Sequence, residues 1–220
     1  MRLSGKSEGQ MALGWGLVAI GAALAVLYGS IYCAAPPARA KTVVKTLSVA
    51  SLALAAPALG APPAITLGLA LGSIGDFFLS RRGERSFLAG MAAFAAGHLA
   101  YALAFFHAGA GLPGIAVFLP LLMLGLSTEV WLAPHTGSLR WPVRGYVAVI
   151  LIMAVAAYGM PAGAGIVMLG ATLFVLSDLI LAIDLFRFGP GRPSLGRARS
   201  LWAAYWAGQC LILIGMAGTL

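Results

Sequence analysis

The stretch LGLALGSIGDFFLS, residues 67–80, decides how this chain is read. It is apolar almost to its end, holds one carboxylate at Asp76, and runs directly into the arginines Arg81, Arg82 and Arg85. A carboxylate inside such a run is at home neither in a soluble core nor in a loop, and the pattern repeats along the chain. Of the 220 residues, 61% are hydrophobic and only 9% charged, a balance outside that of soluble domains and typical of polytopic membrane proteins. In hydrocarbon only helices and closed barrels satisfy every backbone group, and a spanning helix needs roughly 20 apolar residues. The runs lack the period-2 alternation of a barrel strand, so the expected fold is all-α.

Punctuation by Pro, Gly and charge places about eight spans near residues 12–33, 43–59, 63–80, 87–107, 112–133, 143–159, 162–186 and 200–219, within one integral membrane domain covering 1–220. The 29 glycines favour close helix contact in lipid, where small residues let backbones approach. The run after MRLSGKSEGQ is longer than a signal-peptide core and is followed by further spans, so it reads as the first transmembrane helix and not as a cleaved leader.

The net charge of +8 does not point to nucleic acid, because its basic residues sit in short connections beside apolar spans. Arg39, Lys41 and Lys45 follow the first span; Arg81, Arg82 and Arg85 the third; Arg140 and Arg144 the fifth; Arg187, Arg192, Arg197 and Arg199 the seventh. The opposite side has only Arg2 and Lys6. By the positive-inside rule the twelve-residue side is cytoplasmic and both termini lie on the other side. The rich Ala, Gly and Arg usage fits a GC-rich bacterial genome, hence a bacterial inner membrane. Cys33 and Cys210 have no metal-ligand spacing and read as structural thiols, and no metal site is expected.

Ionisable groups in hydrocarbon are costly, about 2.5–3.5 kcal/mol for Asp on insertion scales, so each one asks for a reason. Asp76, Asp178, His98, Gln209, Glu129 and Asp184 all fall in the basic half of their spans, which predicts a polar cavity opening to that side. A bland alternative has the aspartates paired with Arg81 or Arg187, or accepting hydrogen bonds from Ser73 and Ser177. Tyr101 lies one turn from His98, and Tyr205 one turn from Gln209. Glu129 and Asp184, near interfacial arginines, read as ion-paired. A short internal echo accompanies them: GDFFL then AAGHLAY in the third and fourth spans, LSDLILA then WAGQCLI in the seventh and eighth. An offset of four helices would make two parallel four-helix halves facing across a pseudo-two-fold axis, with chance similarity among Ala- and Gly-rich helices as the competing explanation.

No GxSxG elbow, HExxH, phosphate-binding Gly-Lys-Ser loop or CxxC occurs, so serine-hydrolase, zincin, nucleotide and redox chemistries lack their parts. Two carboxylates and a histidine remain, a set suited to general acid–base work in a low-dielectric site. The rival from another class is a transporter in which Asp76, Asp178 and His98 form a proton or cation pathway, although no polar residues continue it into the opposite half.

At GDFFL (75–79), FLAGMAAFAAGHLAY (87–101), LSDLILA (176–182) and YWAGQCLI (205–212), the chain resembles the YhhN-like lysoplasmalogenase family of multi-pass membrane proteins, from Lys41 onward. The resemblance implies a hydrolase that cleaves the vinyl-ether bond of a lysoplasmalogen to a fatty aldehyde and a glycerophospho-base, without metal or cofactor. It implies Asp76 and Asp178 as catalytic carboxylates, with His98, Tyr101, Tyr205, Gln209, Ser177 and Glu129 around the substrate. The substrate has one long chain and a phosphate head, for which Arg81, Arg82, Arg85 and Arg187 stand at the basic ends. Membrane lipids and the lysophospholipid are then its partners.

Overall fold

The computed structural model describes residues 2–189 and 194–218, with side chains from residue 8. Among these residues eight α-helices follow one another: α1 (Arg2–Leu27), α2 (Arg39–Ala58), α3 (Pro63–Leu79), α4 (Glu84–His107), α5 (Ile115–Trp131), α6 (Arg140–Tyr158), α7 (Gly165–Phe186) and α8 (Leu195–Met216). A π-helical turn, Tyr28–Tyr32, prolongs α1. Five stretches are long and apolar enough to cross a membrane: Glu8–Tyr32, Glu84–His107, Ile115–His135, Gly137–Tyr158 and Gly165–Phe186. Pro63–Leu79 is shorter but equally apolar in character. Large apolar side chains such as Val26, Leu54, Leu112 and Val130 point outward, while Ser48, Asp76, His98 and Gln209 are buried. That is the reverse of a soluble surface, and it is what a hydrocarbon solvent selects. The chain is a helical membrane bundle.

Helices start and stop for local reasons. Pro63 occupies the first turn of α3, where its missing N–H leaves no bond unmade. Gly60, at φ 67°, ends α2 with the Ala61 N–H bonded back to Ala56. Gly109, at φ 90°, ends α4 with Ala110 bonded to Phe105 in the same way, the six-to-one closure of a Schellman cap. Ser194 caps α8, its hydroxyl accepting from the Arg197 N–H at 3.1 Å.

The helices differ from the expected spans mainly at their basic ends. α2 begins at Arg39 and α8 at Leu195, each one turn or more before its apolar run, because a helix continues through interfacial cations that hydropathy discounts. Lys45, expected in a connection, therefore lies well inside α2. Arg192 and Thr219, the last residue of the eighth expected span, lie outside the described residues, as do the side chains of Arg2 and Lys6.

Cross-links identify the two ends of the bundle. At the basic end, Arg199 of α8 donates to the Gly29 and Ser30 carbonyls after α1, and Arg187 after α7 donates to the Trp131 carbonyl of α5 at 3.0 Å. At the other end, Gly218 bonds to Leu59 and Gly60, and Gly111 to Gly159.

The α3–α4 and α7–α8 hairpins pack in one register. A Cβ on Gly97 would stand 3.1 Å from the Gly68 carbonyl oxygen and 3.8 Å from the Gly72 nitrogen. A Cβ on Gly208 would stand 2.8 Å from the Gly170 carbonyl oxygen and 2.9 Å from the Phe174 nitrogen. Gly68 and Gly170 each lie two turns before an aspartate, Gly72 and Phe174 one turn before it, and Gly97 and Gly208 immediately precede His98 and Gln209. The sequence echo thus corresponds to matching backbone contacts. Elsewhere the halves diverge: α5 has a single buried residue, Gly125, and lies at the periphery. Because the Gly208 contacts are with backbone, which cannot step aside, Gly208→Ala is expected to destabilise by about 1–3 kcal/mol, and Gly97→Ala by less. Thermal denaturation of both variants in one detergent checks the order.

Candidate active site

Helix α3 carries a groove made of absences. A Cβ on Gly68 would run into the Tyr101 ring, one on Gly72 into the Gln209 amide, and one on Gly75 would come within 2.6 Å of the Phe94 ring. These glycines lie on one helical face, so α4 and α8 lay their polar and aromatic side chains against α3 beside Asp76.

Asp76 is 1% exposed, with an ion-pair contact on one oxygen and a hydrogen bond on the other. Lys45 Nζ lies 2.9 Å from Oδ1, and the Tyr205 hydroxyl donates to Oδ2 at 2.8 Å. Tyr205 accepts in turn from Gln209 Nε2 at 3.2 Å, and Gln209 Oε1 accepts from the Tyr101 hydroxyl. Every donor in this chain points toward Asp76. With an ammonium beside one oxygen and a phenol donating to the other, the carboxylate faces a cation and a hydrogen-bond donor.

Asp178 is arranged differently. Tyr146 donates to its Oδ1 at 3.2 Å, and Oδ2 lies 3.3 Å from His98 Nε2, close but not aligned as a hydrogen bond. His98 Nδ1 is 2.7 Å from the Phe94 carbonyl oxygen, which only accepts, so Nδ1 carries a hydrogen. In a neutral ring Nε2 would then present a lone pair to the carboxylate oxygen. Two buried acceptors cannot face each other at that distance without a proton for one of them. Asp178 and His98 are therefore placed to share a proton.

Aromatic rings join the two clusters. Phe174 stands 4.4 Å from the His98 ring and 5.4 Å from the Tyr205 ring, centroid to centroid, and Phe94 stands 5.6 Å from Tyr205. Gln209 thus belongs with Asp76, and His98 with Asp178, on either side of Phe94 and Phe174.

Two cavities open near these clusters. One, of about 100 Å³, is apolar and is lined by Phe87, Met91, Leu124, Tyr146, Val147 and Asp178 among others. The other, of about 390 Å³, is lined by Tyr28, Lys41, Lys45, Asp184, Arg197 and Trp202 among others. Leu79, Leu181 and Leu185 belong to both walls. Leu79 lies one turn after Asp76 and Leu181 one turn after Asp178, so the partition comes from equivalent positions of the two hairpins.

The bland pairings do not occur. Ser73 donates to the Thr46 carbonyl and Ser177 to the Phe174 carbonyl, each satisfied by a helix backbone and not by a carboxylate. Arg81 lies over the Phe77 ring at 4.3 Å, and Arg187 donates to Trp131, so neither pairs with Asp76 or Asp178. Arg82 and Arg85 are exposed. Glu129 is ion-paired with Arg144, and Asp184 with Arg197 at 2.5 Å. Sequence reasoning missed Lys45 and Tyr146 as partners of the aspartates. The available signal was shared: each is a polar or charged residue in the first turns of the helix preceding its aspartate.

Known proteins resemble this chain over most of its length. The model of the YhhN family matches residues 40–216, from the start of α2 to the end of α8, leaving α1 outside. A curated relative, the lysoplasmalogenase TMEM86A of Bos taurus, is 33% identical over 166 residues, covering 68% of this chain and 63% of that protein. The match therefore spans less than two thirds of that relative's length. No solved structure matches. On the family match across nearly the whole bundle, the chain belongs to the YhhN family.

Proposed function

We propose that this protein hydrolyses the vinyl-ether bond of a lysoplasmalogen within the membrane, releasing a fatty aldehyde and a glycerophospho-base. The family membership and the name of the bovine relative support the substrate class. The observation that carries the chemistry is the 3.3 Å approach of His98 Nε2 to Asp178 Oδ2, with Asp178 at the wall of an apolar cavity and Asp76, on the equivalent hairpin, held by Lys45.

A vinyl ether is hydrated by slow protonation at carbon. The proton of the Asp178–His98 pair passes to the alkenyl carbon remote from oxygen, leaving an oxocarbenium-like cation. Water adds at the carbon attached to oxygen and returns a proton to the pair. The hemiacetal then breaks its bond to the glycerol oxygen, giving aldehyde and alcohol. The negative charges of Asp76 and of ionised Asp178 stabilise the cation, in the manner of paired carboxylates in glycoside hydrolysis. Tyr146 orients Asp178; Tyr101, Gln209 and Tyr205 orient Asp76. The exposed Arg81, Arg82, Arg85 and Arg187 draw the anionic head toward the basic end, which faces the cytoplasm with both termini opposite.

Purified protein in detergent, given a vinyl-ether lysophospholipid, is expected to release aldehyde, and to leave the saturated alkyl-ether analogue intact because that bond has no carbon to protonate. An assay with no aldehyde above a protein-free control would sink this function.

A further inference from the structure

We propose that the cavity lined by Lys41, Lys45 and Arg197 is the seat of the phosphodiester of a single-chain lipid, with Lys41 as the residue that binds it. The proposal rests on the hydrolase reading above. It assigns the head to a half-buried cavity and not to the exposed Arg81, Arg82, Arg85 and Arg187.

Charge balance around the cavity supports this. Lys45 is matched by Asp76 at 2.9 Å, and Arg197 by Asp184 at 2.5 Å. Among the described residues Lys41 faces no carboxylate there: its Nζ donates to the Ala35 carbonyl at 2.7 Å and the Cys33 carbonyl at 3.3 Å. An ammonium has three hydrogens, so one remains for a ligand. Three cations against Asp184 and the Asp76 behind Lys45 leave one net positive charge, the complement of a phosphodiester monoanion. The two carbonyls fix the ammonium without neutralising it, and the half-buried site makes the remaining charge count for more than it would in water.

The shape fits the same ligand. A volume of about 390 Å³ lies within the range of small-ligand sites. Tyr28 and Trp202, with ring centroids 4.3 Å apart, supply its buried aromatic wall. The π-helical turn that begins at Tyr28 sets that ring at the cavity edge, a placement in keeping with π-turns at functional sites. Through Leu79, Leu181 and Leu185 the polar cavity adjoins the apolar one that holds Asp178. A head in the first and a chain in the second would bring the bond between chain and glycerol to the leucines one turn beyond Asp76 and Asp178.

The test is binding without turnover. A 1-O-alkyl lysophosphatidylethanolamine, which has no vinyl ether, is titrated by calorimetry into wild-type protein and the Lys41→Gln and Lys41→Arg variants, alongside the matching 1-O-alkylglycerol, which lacks the phosphate. Wild type is expected to prefer the phospholipid by about tenfold or more, the scale of one charge-assisted contact. Lys41→Gln is expected to lose that preference while binding alkylglycerol unchanged, and Lys41→Arg to keep most of it. A wild-type preference in Lys41→Gln would overturn the proposal. So would inorganic phosphate that saturates the protein without displacing the alkyl phospholipid, since that marks a free-anion site. Because neither lipid is cleaved, a preference that depends on Lys41 in a protein releasing no aldehyde would keep the site and remove the hydrolase reading.

Discussion

Asp178→Asn is expected to lower turnover of a vinyl-ether lysophospholipid by about 10²–10⁴-fold, or roughly 2.7–5.4 kcal/mol of barrier, with little change in fold. Asparagine keeps the shape of the side chain and can still accept from Tyr146, but it cannot share a proton with His98. The stability effect is small because Asp178 is not locked by a permanent cation: its neighbours are a phenol and a histidine, and it borders a cavity. His98→Gln is expected to fall in the same range, since the proton belongs to the pair and is lost with either member. Tyr146→Phe removes one orienting bond and is expected to cost less than tenfold, about 1.4 kcal/mol. The measurement is turnover at saturating substrate beside thermal stability in the same detergent. Near-normal turnover in Asp178→Asn would end the proton-donor assignment, and loss of turnover only in step with loss of fold would make Asp178 a structural residue.

The same physical reasoning explains how much could be read from the sequence. The bundle was legible because apolar runs of spanning length admit little else in hydrocarbon, and Asp76, Asp178, His98 and Gln209 stood out because each is expensive where it lies. Their partners were not. Lys45 sits in RAKTVVK among other cations, and nothing local separates a lysine that turns inward to Asp76 from Lys41, which caps carbonyls at the rim. Tyr146 resembles any aromatic near a membrane interface. Phe94 and Phe174, which divide the aspartates into two clusters, are apolar residues among apolar residues, and only packing shows that they touch His98 and Tyr205. The echo of Asp followed by Gly-His or Gly-Gln was visible, but its meaning needed the carbonyls of Gly68 and Gly170, which accept the two hairpins in the same register. Side-chain chemistry can be read along one helix; pairing across helices depends on faces that hydropathy does not resolve.

Lys45 changes what removal of Asp76 should do. From sequence alone, Asp76→Asn would be expected to leave the fold intact or improved, since an unpaired carboxylate in hydrocarbon is a liability. The carboxylate is paired, however, and taking it away leaves an ammonium that is largely buried and has lost its counter-charge. Removing one partner of a buried ion pair typically costs about 3–5 kcal/mol, whereas replacing both by apolar or neutral groups is often nearly neutral. Asp76→Asn is therefore expected to lower stability by about that amount, Lys45→Met to do likewise by stranding the carboxylate, and the double variant Lys45→Met/Asp76→Asn to recover most of the loss. The double variant then separates structure from chemistry. Its fold no longer depends on the pair, so its turnover reports whether the charge of Asp76 acts on the oxocarbenium-like cation. The expected result is a stable protein whose turnover remains about 10²-fold down, the scale of one lost electrostatic contact in a low-dielectric site. Double-mutant stabilities that simply add would mean that Lys45 and Asp76 do not interact as the 2.9 Å contact requires. A stable double variant with wild-type turnover would assign Asp76 to holding α2, α3 and α8 together and leave the Asp178–His98 pair to carry the reaction alone.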